Sequence, residues 1–237
     1  MKGSKPVPVP DCRRCEARAI SAFCGKLNED GVGFLSDLKK SQFYKKDQAL
    51  FYEGNTCDGI YILCSGSVKL VQSSREGHQQ LLEIVSPGGW VDKGAVFSSG
   101  RYFATAQALE DSSVSLILRE DITRILKRAP DFALTMITSL SREVEKGGER
   151  IRQLTTQGAL ERLAGVLLDL SRHHGVETDG GILIRLALKR EELAEMVCVT
   201  QETVVRLLTG LKKDGLIQLN GKEITILDDT RLSRMID

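Results

Sequence analysis

The sequence predicts an α+β protein in which a double-stranded β-roll precedes a long helix and a winged helix-turn-helix. Three observations predict this order: short β-rich runs separated by glycines, one long heptad-patterned stretch after them, and a final succession of helix, turn, helix and hairpin signals. We divide the chain into an N-terminal cysteine-containing segment (1–27), the β-roll (28–128), a dimerisation helix (129–158) and the winged helix-turn-helix (159–237).

The β-roll is predicted from short runs rich in β-branched and apolar residues. The clearest are residues 59–63, 67–71 and 113–118, and glycines such as Gly66 and Gly77 mark turns between such runs. Many short strands at this spacing are typical of a closed or two-sheet antiparallel roll and not of parallel βαβ units.

The composition excludes several classes of function. Of 237 residues, 41% are hydrophobic and 27% charged, as in ordinary globular proteins. No apolar run approaches the roughly 20 residues that cross a bilayer, and no signal peptide is evident, so we expect a cytoplasmic protein without membrane contacts. We find no paired base and nucleophile, no glycine-rich phosphate loop and no histidine-carboxylate cluster, so enzyme activity is not predicted.

The long helix carries a narrow apolar stripe. Its members recur at alternating steps of four and three, which is the pattern of a heptad seam: Ala133, Ile137, Leu140, Val144, Gly147, Ile151 and Leu154. Charged residues flank this stripe, so it suits packing against an identical helix in a homodimer. The alternative, in which the helix lies on its own domain, stays open. Gly147 and Gly148 each weaken the helix by about 1 kcal/mol relative to alanine.

A helix-turn-helix is predicted near the C-terminus. Residues 189–197 form the first helix, Cys198 and Val199 a tight turn, and Thr200 the N-cap of the second helix. The apolar residues of the second helix share one face: Val204, Leu207, Leu208 and Leu211. The hairpin signal Asn-Gly-Lys at residues 220–222 then predicts the wing.

The opposite face of the second helix suits a DNA major groove. Glu202 and Arg206 lie one turn apart, and there a carboxylate accepts from cytosine N4 while a guanidinium donates twice to guanine. The chain has a formal net charge of only +1, so its basic DNA surface must be local. The candidate DNA-contacting residues are Lys189, Arg190, Thr200, Gln201, Glu202, Thr203, Val205, Arg206, Lys212 and Lys213. A merely solvated Glu202–Arg206 pair would leave the order of helix, turn, capped helix and hairpin unexplained.

The sequence resembles the CRP/FNR superfamily of regulators over nearly its whole length. The resemblance rests on Gly-Ser-Val-Lys at 66–69, Ala-Gln-Ala-Leu-Glu at 106–110, Glu-Arg-Leu-Ala at 161–164 and Thr-Gln-Glu-Thr-Val-Val-Arg at 200–206. It implies a cyclic-nucleotide-binding-like roll, a dimer helix and paired recognition helices that read a two-fold symmetric site on double-stranded DNA. It also implies RNA polymerase as a partner.

Three departures from the family pattern are informative. Lys93 stands where cyclic-nucleotide binders carry the ribose-binding Glu, and no Arg-Ser pair follows, so cyclic AMP is not an expected ligand. Val205 stands where FNR-like members carry Ser, which leaves the half-site sequence open. Cys198 stands where a turn glycine is common, and a positive φ there would cost about 1 kcal/mol.

The N-terminal cysteines resemble those of FNR-like oxygen sensors. Cys12 and Cys15 are followed, after eight intervening residues, by Cys24. In those sensors a similar arrangement of variable spacing holds a 4Fe-4S cluster, for which thiolates are the required ligands. The resemblance therefore implies a response to oxygen, nitric oxide or redox state.

The usual fourth cysteine ligand is missing, because its position aligns with Ser115. A jelly roll of this type pairs its final strand antiparallel with the strand that ends at Cys64, so we expect Cys64 to reach a cluster near Ser115. Cys57 is a poorer candidate because it precedes that strand and would lie nearer its far end.

Other interpretations of the cysteines stay open. They could be relics in a cluster-free constitutive regulator, zinc ligands, or thiol redox sensors whose thiolates Arg13 and Arg14 favour. Cys198 is expected only to pack in the helix-turn-helix. Haem is a weaker alternative, since His78 falls in a predicted surface turn and the other two histidines end a helix.

Overall fold

The first half of the chain forms a roll of two four-stranded antiparallel sheets. The computed structural model describes residues 11–21, 24–77, 79–128 and 130–236. The strands are β1 (Lys40–Tyr44), β2 (Ala49–Phe51), β3 (Gly59–Ser65), β4 (Val68–Ser73), β5 (Gln79–Val85), β6 (Trp90–Val91), β7 (Thr105–Ala108) and β8 (Ser112–Leu118). One sheet has the order β1-β8-β3-β6 and the other β2-β7-β4-β5. The predicted β-roll is confirmed, and its three clearest predicted runs fall in β3, β4 and β8.

Both sheets contribute to one hydrophobic core. Leu63 and Val114 from the first sheet, and Val68 and Ala106 from the second, are fully buried in the same cluster. Each buried Leu or Val side chain contributes roughly 1.5–3 kcal/mol relative to an exposed one. The roll therefore provides a rigid base for the segments that precede and follow it.

Helices lie before and after the roll. Before it come α1 (Ala17–Ile20) and α2 (Glu29–Leu38), and after it come α3 (Arg119–Arg128) and α4 (Pro130–Thr156). Helix α2 begins at an Asn28 cap whose side chain accepts from the Gly31 amide at 2.8 Å. Val32 and Leu35 of α2 are buried in the core of the roll. Helix α4 confirms the predicted long helix.

The described C-terminal part of the chain contains four α-helices and a third sheet. Its elements are α5 (Ala159–His174), β9 (Gly175–Thr178), β10 (Gly181–Ile184), α6 (Arg190–Val197), α7 (Gln201–Lys213), β11 (Ile217–Asn220), β12 (Glu223–Ile226) and α8 (Asp229–Ser233). The sheet order is β11-β12-β10-β9. The predicted helix-turn-helix and hairpin are present, and the hairpin belongs to a four-stranded sheet.

The chain divides into two compact units at a point inside α4. One unit comprises residues 1–144 and the other residues 145–237. The boundary thus follows Val144, three residues before Gly147. It divides the helix that we predicted as one segment over 129–158. The four predicted domain limits remain a prediction.

Some sequence expectations were incomplete. The stretch from Ser171 to Gly181 is polar and contains three glycines, which gives no clear signal for a helix or a strand, yet it completes α5 and holds β9. Predictions concerning the first ten residues and His78 lie outside the described residues. In the part of the chain that is described, no helix is long and apolar enough to span a membrane.

Candidate functional site

The turn between α6 and α7 contains a strained residue. Cys198 ends α6 with φ of 57° and ψ of 53°, the left-handed conformation that normally favours glycine. The Val199 amide, which follows, donates to the Ala194 carbonyl at 3.1 Å and closes the turn. Cys198 therefore has the positive φ whose cost the sequence analysis considered.

Helix α7 is capped and packed as the sequence predicted. The Thr200 hydroxyl accepts from the Thr203 amide at 3.3 Å, which satisfies one of the unpaired donors at the helix start. Val204, Leu208 and Leu211 are buried, which fixes the rotation of the helix about its axis. The opposite face must then point to solvent.

The exposed face of α7 contains most of the predicted DNA-contacting residues. These exposed residues are Gln201, Glu202, Val205, Arg206, Lys212 and Lys213. Thr203 is half-buried, with its hydroxyl 3.0 Å from that of Thr200. Among the ion pairs of the described residues, none joins Glu202 to Arg206. The Glu202 carboxylate is thus available to base edges, and the Arg206 guanidinium to bases or phosphates.

The wing is tied to the helix-turn-helix through Arg190. Strands β11 and β12 pair from Asn220 and Glu223 across a two-residue turn, in which Gly221 has φ of 59°. The Arg190 guanidinium donates to the Gly221 carbonyl at 2.9 Å. Lys189 is exposed beside it, and its backbone amide donates to the Glu192 carboxylate at 2.7 Å. Arg190 therefore positions the wing, a role that sequence reasoning missed.

Two further arginines satisfy carbonyls at the end of α6. Arg162 donates to the Val197 carbonyl at 3.0 Å and to the Gln157 carbonyl at 2.6 Å. Arg150, in α4, donates to the Met196 carbonyl. Carbonyls in the last turn of a helix lack partners within the helix. By donating to the carbonyls of Met196 and Val197, these arginines stabilise the turn that begins at Cys198. Sequence reasoning did not find either contact.

The predicted seam of α4 is largely uncovered in the single chain. Ile137, Val144, Ile151 and Leu154 are 59%, 76%, 65% and 41% exposed. Gly147 is also exposed, and Leu140 is half-buried. Large aliphatic side chains in a row at this exposure favour a second copy as their cover. These exposures argue against the alternative, in which the seam packs on its own domain.

The candidate metal-binding cysteines line one cavity beside the roll. Cys12, Cys15, Cys24 and Cys64 all contribute to it, together with apolar residues such as Leu35 and Ile62. The Arg18 guanidinium donates to the carbonyls of Cys24, at 3.4 Å, and Leu27, at 3.1 Å. The segment that carries Cys24 is thereby held against α1. We call this site the cysteine cavity.

Cys64 reaches the cavity through strand pairing. Strand β3 pairs antiparallel with β8, with Ile62 opposite Ser115, and the register shifts between Leu63 and Ser65. The Cys64 sulfur lies 3.2 Å from the Ser115 hydroxyl oxygen. The structure thus brings Cys64 beside Ser115, the contact that the sequence led us to expect.

The remaining cysteines lie elsewhere. Cys57 is buried, and its thiol donates to the Gly59 carbonyl at 3.4 Å. It is absent from the lining of the cysteine cavity, and Cys198 belongs to the helix-turn-helix. The four cysteines that line one cavity are therefore the four that the sequence analysis named, and their role as ligands stays a prediction.

Burial changes the acidity of two cavity thiols. It raises the pKa of Cys24 to about 11, although a hydrogen bond with Ser21 acts in the opposite direction. Burial likewise raises the pKa of Cys64, opposed by the Ser115 hydroxyl. Both thiols are therefore protonated at neutral pH, and binding a metal group would release their protons.

The donor set fits an iron-sulfur cluster better than a single ion. Within the described ranges, no three His, Cys, Asp or Glu side chains are arranged to hold one metal ion. A 4Fe-4S cluster needs a different arrangement, because each of the four thiolates binds a different iron atom of the cluster. The four sulfur atoms therefore surround a group larger than one ion. Four thiols around one cavity meet that requirement in residue type and grouping, whereas a tetrahedral zinc site needs convergence on one point.

The residues at which the resemblance places a cyclic-nucleotide site make other contacts. The buried Lys93 ammonium lies 2.5 Å from the Glu143 carboxylate of α4. Tyr102 stacks on Phe51 with ring centroids 3.7 Å apart. The Arg101 guanidinium donates to the Gly54 carbonyl at 2.8 Å. No side chain among these is arranged as the Glu and Arg-Ser pattern of a cyclic-nucleotide site.

Both halves of the chain match known domain families. The cyclic nucleotide-binding domain matches residues 41–129, and the Crp-like helix-turn-helix domain matches residues 161–235. The anaerobic regulatory protein of Pasteurella multocida is 30% identical over 217 residues, which are 90% of this chain and 79% of that protein. The fumarate and nitrate reduction regulatory protein of Escherichia coli K12 is 29% identical over 224 residues, 93% and 89% of the two chains.

A solved structure shows the same architecture. The crystal structure of a CRP/FNR-family transcriptional regulator from Thermus thermophilus superposes with a TM-score of 0.71 at 25% identity. The match covers 83% of this chain and 98% of that one.

Proposed function

Because the chain belongs to the CRP/FNR family of DNA-binding transcription regulators, and is not an enzyme, we propose that it is a homodimeric sensor of oxygen, nitric oxide or redox state. Its sensing group is a 4Fe-4S cluster bound by Cys12, Cys15, Cys24 and Cys64. Cyclic AMP is not its ligand. The single observation that carries this proposal is the cysteine cavity, where three cysteines of the N-terminal segment and one of β3 line one space.

The cysteines hold the cluster, and other residues shape the site. When bound, the cluster supplies iron and sulfide that react with oxygen or nitric oxide and so change the group that the thiolates hold. Arg18 keeps the Cys24 segment close to α1 by donating to two carbonyls. Apolar residues such as Leu35 and Ile62 limit the access of water to the thiols.

DNA recognition is assigned to α7 and its counterpart in the partner subunit. Glu202 and Arg206 are exposed one turn apart and suit the edges of a G·C pair, while Lys212 and Lys213 suit phosphates. In a symmetric dimer, two such helices read half-sites one DNA turn apart, about 34–36 Å, so the operator is two-fold symmetric. RNA polymerase is the partner expected of such a regulator.

Helix α4 is the element that passes the signal. Within the first unit, Glu143 of α4 pairs with Lys93 of the roll at 2.5 Å. Within the second unit, Arg150 of α4 donates to the Met196 carbonyl at the end of α6. A change at either contact of this helix can therefore shift its pairing with a second copy, provided the signal binds the two dimer geometries with different affinity.

The test is anaerobic purification followed by iron and sulfide reconstitution. We expect a brown protein with about four iron atoms per chain and visible absorbance that air bleaches. The rival function is a cluster-free regulator of the same family, constitutive or responsive through thiol oxidation. A colourless, iron-free chain that binds duplexes selected from a random library equally with and without air would establish the constitutive rival. An iron-free chain whose binding is restored by dithiothreitol would establish the thiol-redox one.

A further inference from the structure

The cysteine cavity is lined by more than thiols. Arg18, Lys39 and Ser115 also contribute, and no carboxylate is found among the lining residues in the described part of the chain. A cluster held by four thiolates carries net negative charge, so nearby cations and hydrogen-bond donors favour it and carboxylates would oppose it. The lining is thus complementary in charge to the proposed group, beyond the ligands themselves.

Ser115 lies against the sulfur of Cys64. The two side chains are 3.2 Å apart, and either could donate while Cys64 is a thiol. A metal-bound thiolate has no proton to give, so the Ser115 hydroxyl must then be the donor. Ser115 is only 3% exposed and is held in β8 opposite Ile62, so its direction is fixed by the sheet.

Lys39 places a positive charge in the lining of the same cavity. It follows the last residue of α2, where its amide donates to the Leu35 carbonyl at 3.0 Å, and its side chain lines the cavity. Its ammonium adds positive charge to the lining that Cys64 shares. Arg18 lies in the same lining, and its guanidinium donates to the carbonyls of Cys24 and Leu27.

We infer that Ser115 and Lys39 are positioning residues for Cys64 and that they raise the reduction potential of the cluster this chain binds. The Ser115 hydroxyl donates to the bound sulfur, and the Lys39 ammonium offsets the negative charge. Both effects stabilise the state with one more electron, since hydrogen bonds to sulfur and net charge set cluster potentials. This inference rests on the proposed cluster.

The experiment is a potentiometric titration of the reconstituted full-length protein with dithionite as the reductant. Ser115→Ala and Lys39→Gln are each compared with a matched control: Ser113→Ala, from the same strand and equally buried, and Lys40→Gln, from the adjacent exposed lysine. We expect each test variant to lower the equilibrium constant for one-electron reduction by up to about tenfold, or about 59 mV. The controls, Ser115→Thr and Lys39→Arg should stay near the wild-type value.

The outcomes separate the inference from the proposed function. A wild-type chain without a cluster would overturn both. A wild-type chain with a cluster, but with test variants that match their controls, would overturn the inference alone. Should Ser115→Ala fail to hold a cluster while Ser113→Ala holds one, with equal thermal unfolding temperatures, the hydrogen bond is needed for ligation and the inference is supported.

Discussion

The helix-turn-helix and the cysteine cavity differ in the sequence separation of the residues that form them. The helix-turn-helix and its wing take their DNA-facing residues from one continuous stretch, 189–226. The cysteine cavity takes its residues from the N-terminal segment, from the end of α2, from β3 and from β8. Its geometry exists only when the roll has folded.

This difference predicts how each region responds to substitution. A site built from one stretch depends on local caps and turns, so a substitution there should alter one contact at a time. A site assembled by strand pairing depends on every contributing segment, so loss of one ligand should empty it.

Removal of Cys64 should have the largest effect. Cys64→Ser is expected to lose most of the bound iron, because three thiolates leave one iron without a protein ligand. Cys57→Ser, in a cysteine outside the cavity, should keep the wild-type iron content. Iron and sulfide analysis after anaerobic reconstitution measures both.

Exchange of the two side chains should restore the site. Since Cys64 and Ser115 lie 3.2 Å apart, the double variant Cys64→Ser/Ser115→Cys places a thiol at nearly the same point. It should regain iron and visible absorbance. An exchanged variant as empty as Cys64→Ser would argue against the assignment of this position as the fourth ligand.

A charge in the α4 seam should dissociate the dimer. Ile151 is 65% exposed in the single chain, so Ile151→Glu should fold, but its carboxylate would be buried between two copies. An unpaired buried charge costs about 3–5 kcal/mol. Sedimentation should report a monomer, whereas Lys146→Glu, on the charged flank, should remain dimeric. Dimeric Ile151→Glu would show that the seam lies elsewhere.

Loss of Arg206 should weaken recognition at one base pair. Arg206→Ala should cost about 1–3 kcal/mol on the preferred duplex and relax discrimination at a single position. Lys213→Ala should weaken every duplex equally and lower the salt dependence by about one unit. Binding isotherms on a panel of single-base variants distinguish the two. An equal loss on all duplexes for Arg206→Ala would make it a phosphate contact.

Relief of strain at Cys198 should have the smallest effect. Because its φ is 57°, Cys198→Gly should raise the free energy of unfolding by about 1 kcal/mol. Cys198→Ala keeps the strain and should bring no gain. Urea denaturation, followed by the circular dichroism of the full chain, measures the difference, and equal values for Ala and Gly would refute it.

The contrast also explains which features the sequence could predict. The Thr200 cap, the turn at Cys198 and the hairpin at Gly221 follow from residue type and immediate neighbours, and all three are present. The contact between Cys64 and Ser115 could also be predicted from the sequence, because antiparallel pairing of two predicted strands implies it.

Side-chain contacts between distant segments could not be predicted from residue type and neighbours. Arg190 was predicted to face DNA, but it donates to the wing at Gly221, which only the folded hairpin brings near. Arg150 and Arg162 reach the end of α6 from other helices. Lys39 is one of many lysines in the sequence, and no local pattern links it to a cavity. Side-chain partners of this kind depend on packing between elements.

The most direct test of cluster-controlled DNA binding measures the DNA affinity of the reconstituted dimer before and after exposure to air. The probe is a duplex selected from a random library, and Cys64→Ser is the matched control. We predict that air changes the affinity of the wild-type protein by about 5- to 150-fold, the usual range of coupling between two sites, and leaves that of Cys64→Ser unchanged. The contradicting result is a wild-type protein that carries a full cluster and binds the duplex with the same affinity before and after air removes the cluster. Such a result would show that the cluster does not control DNA binding.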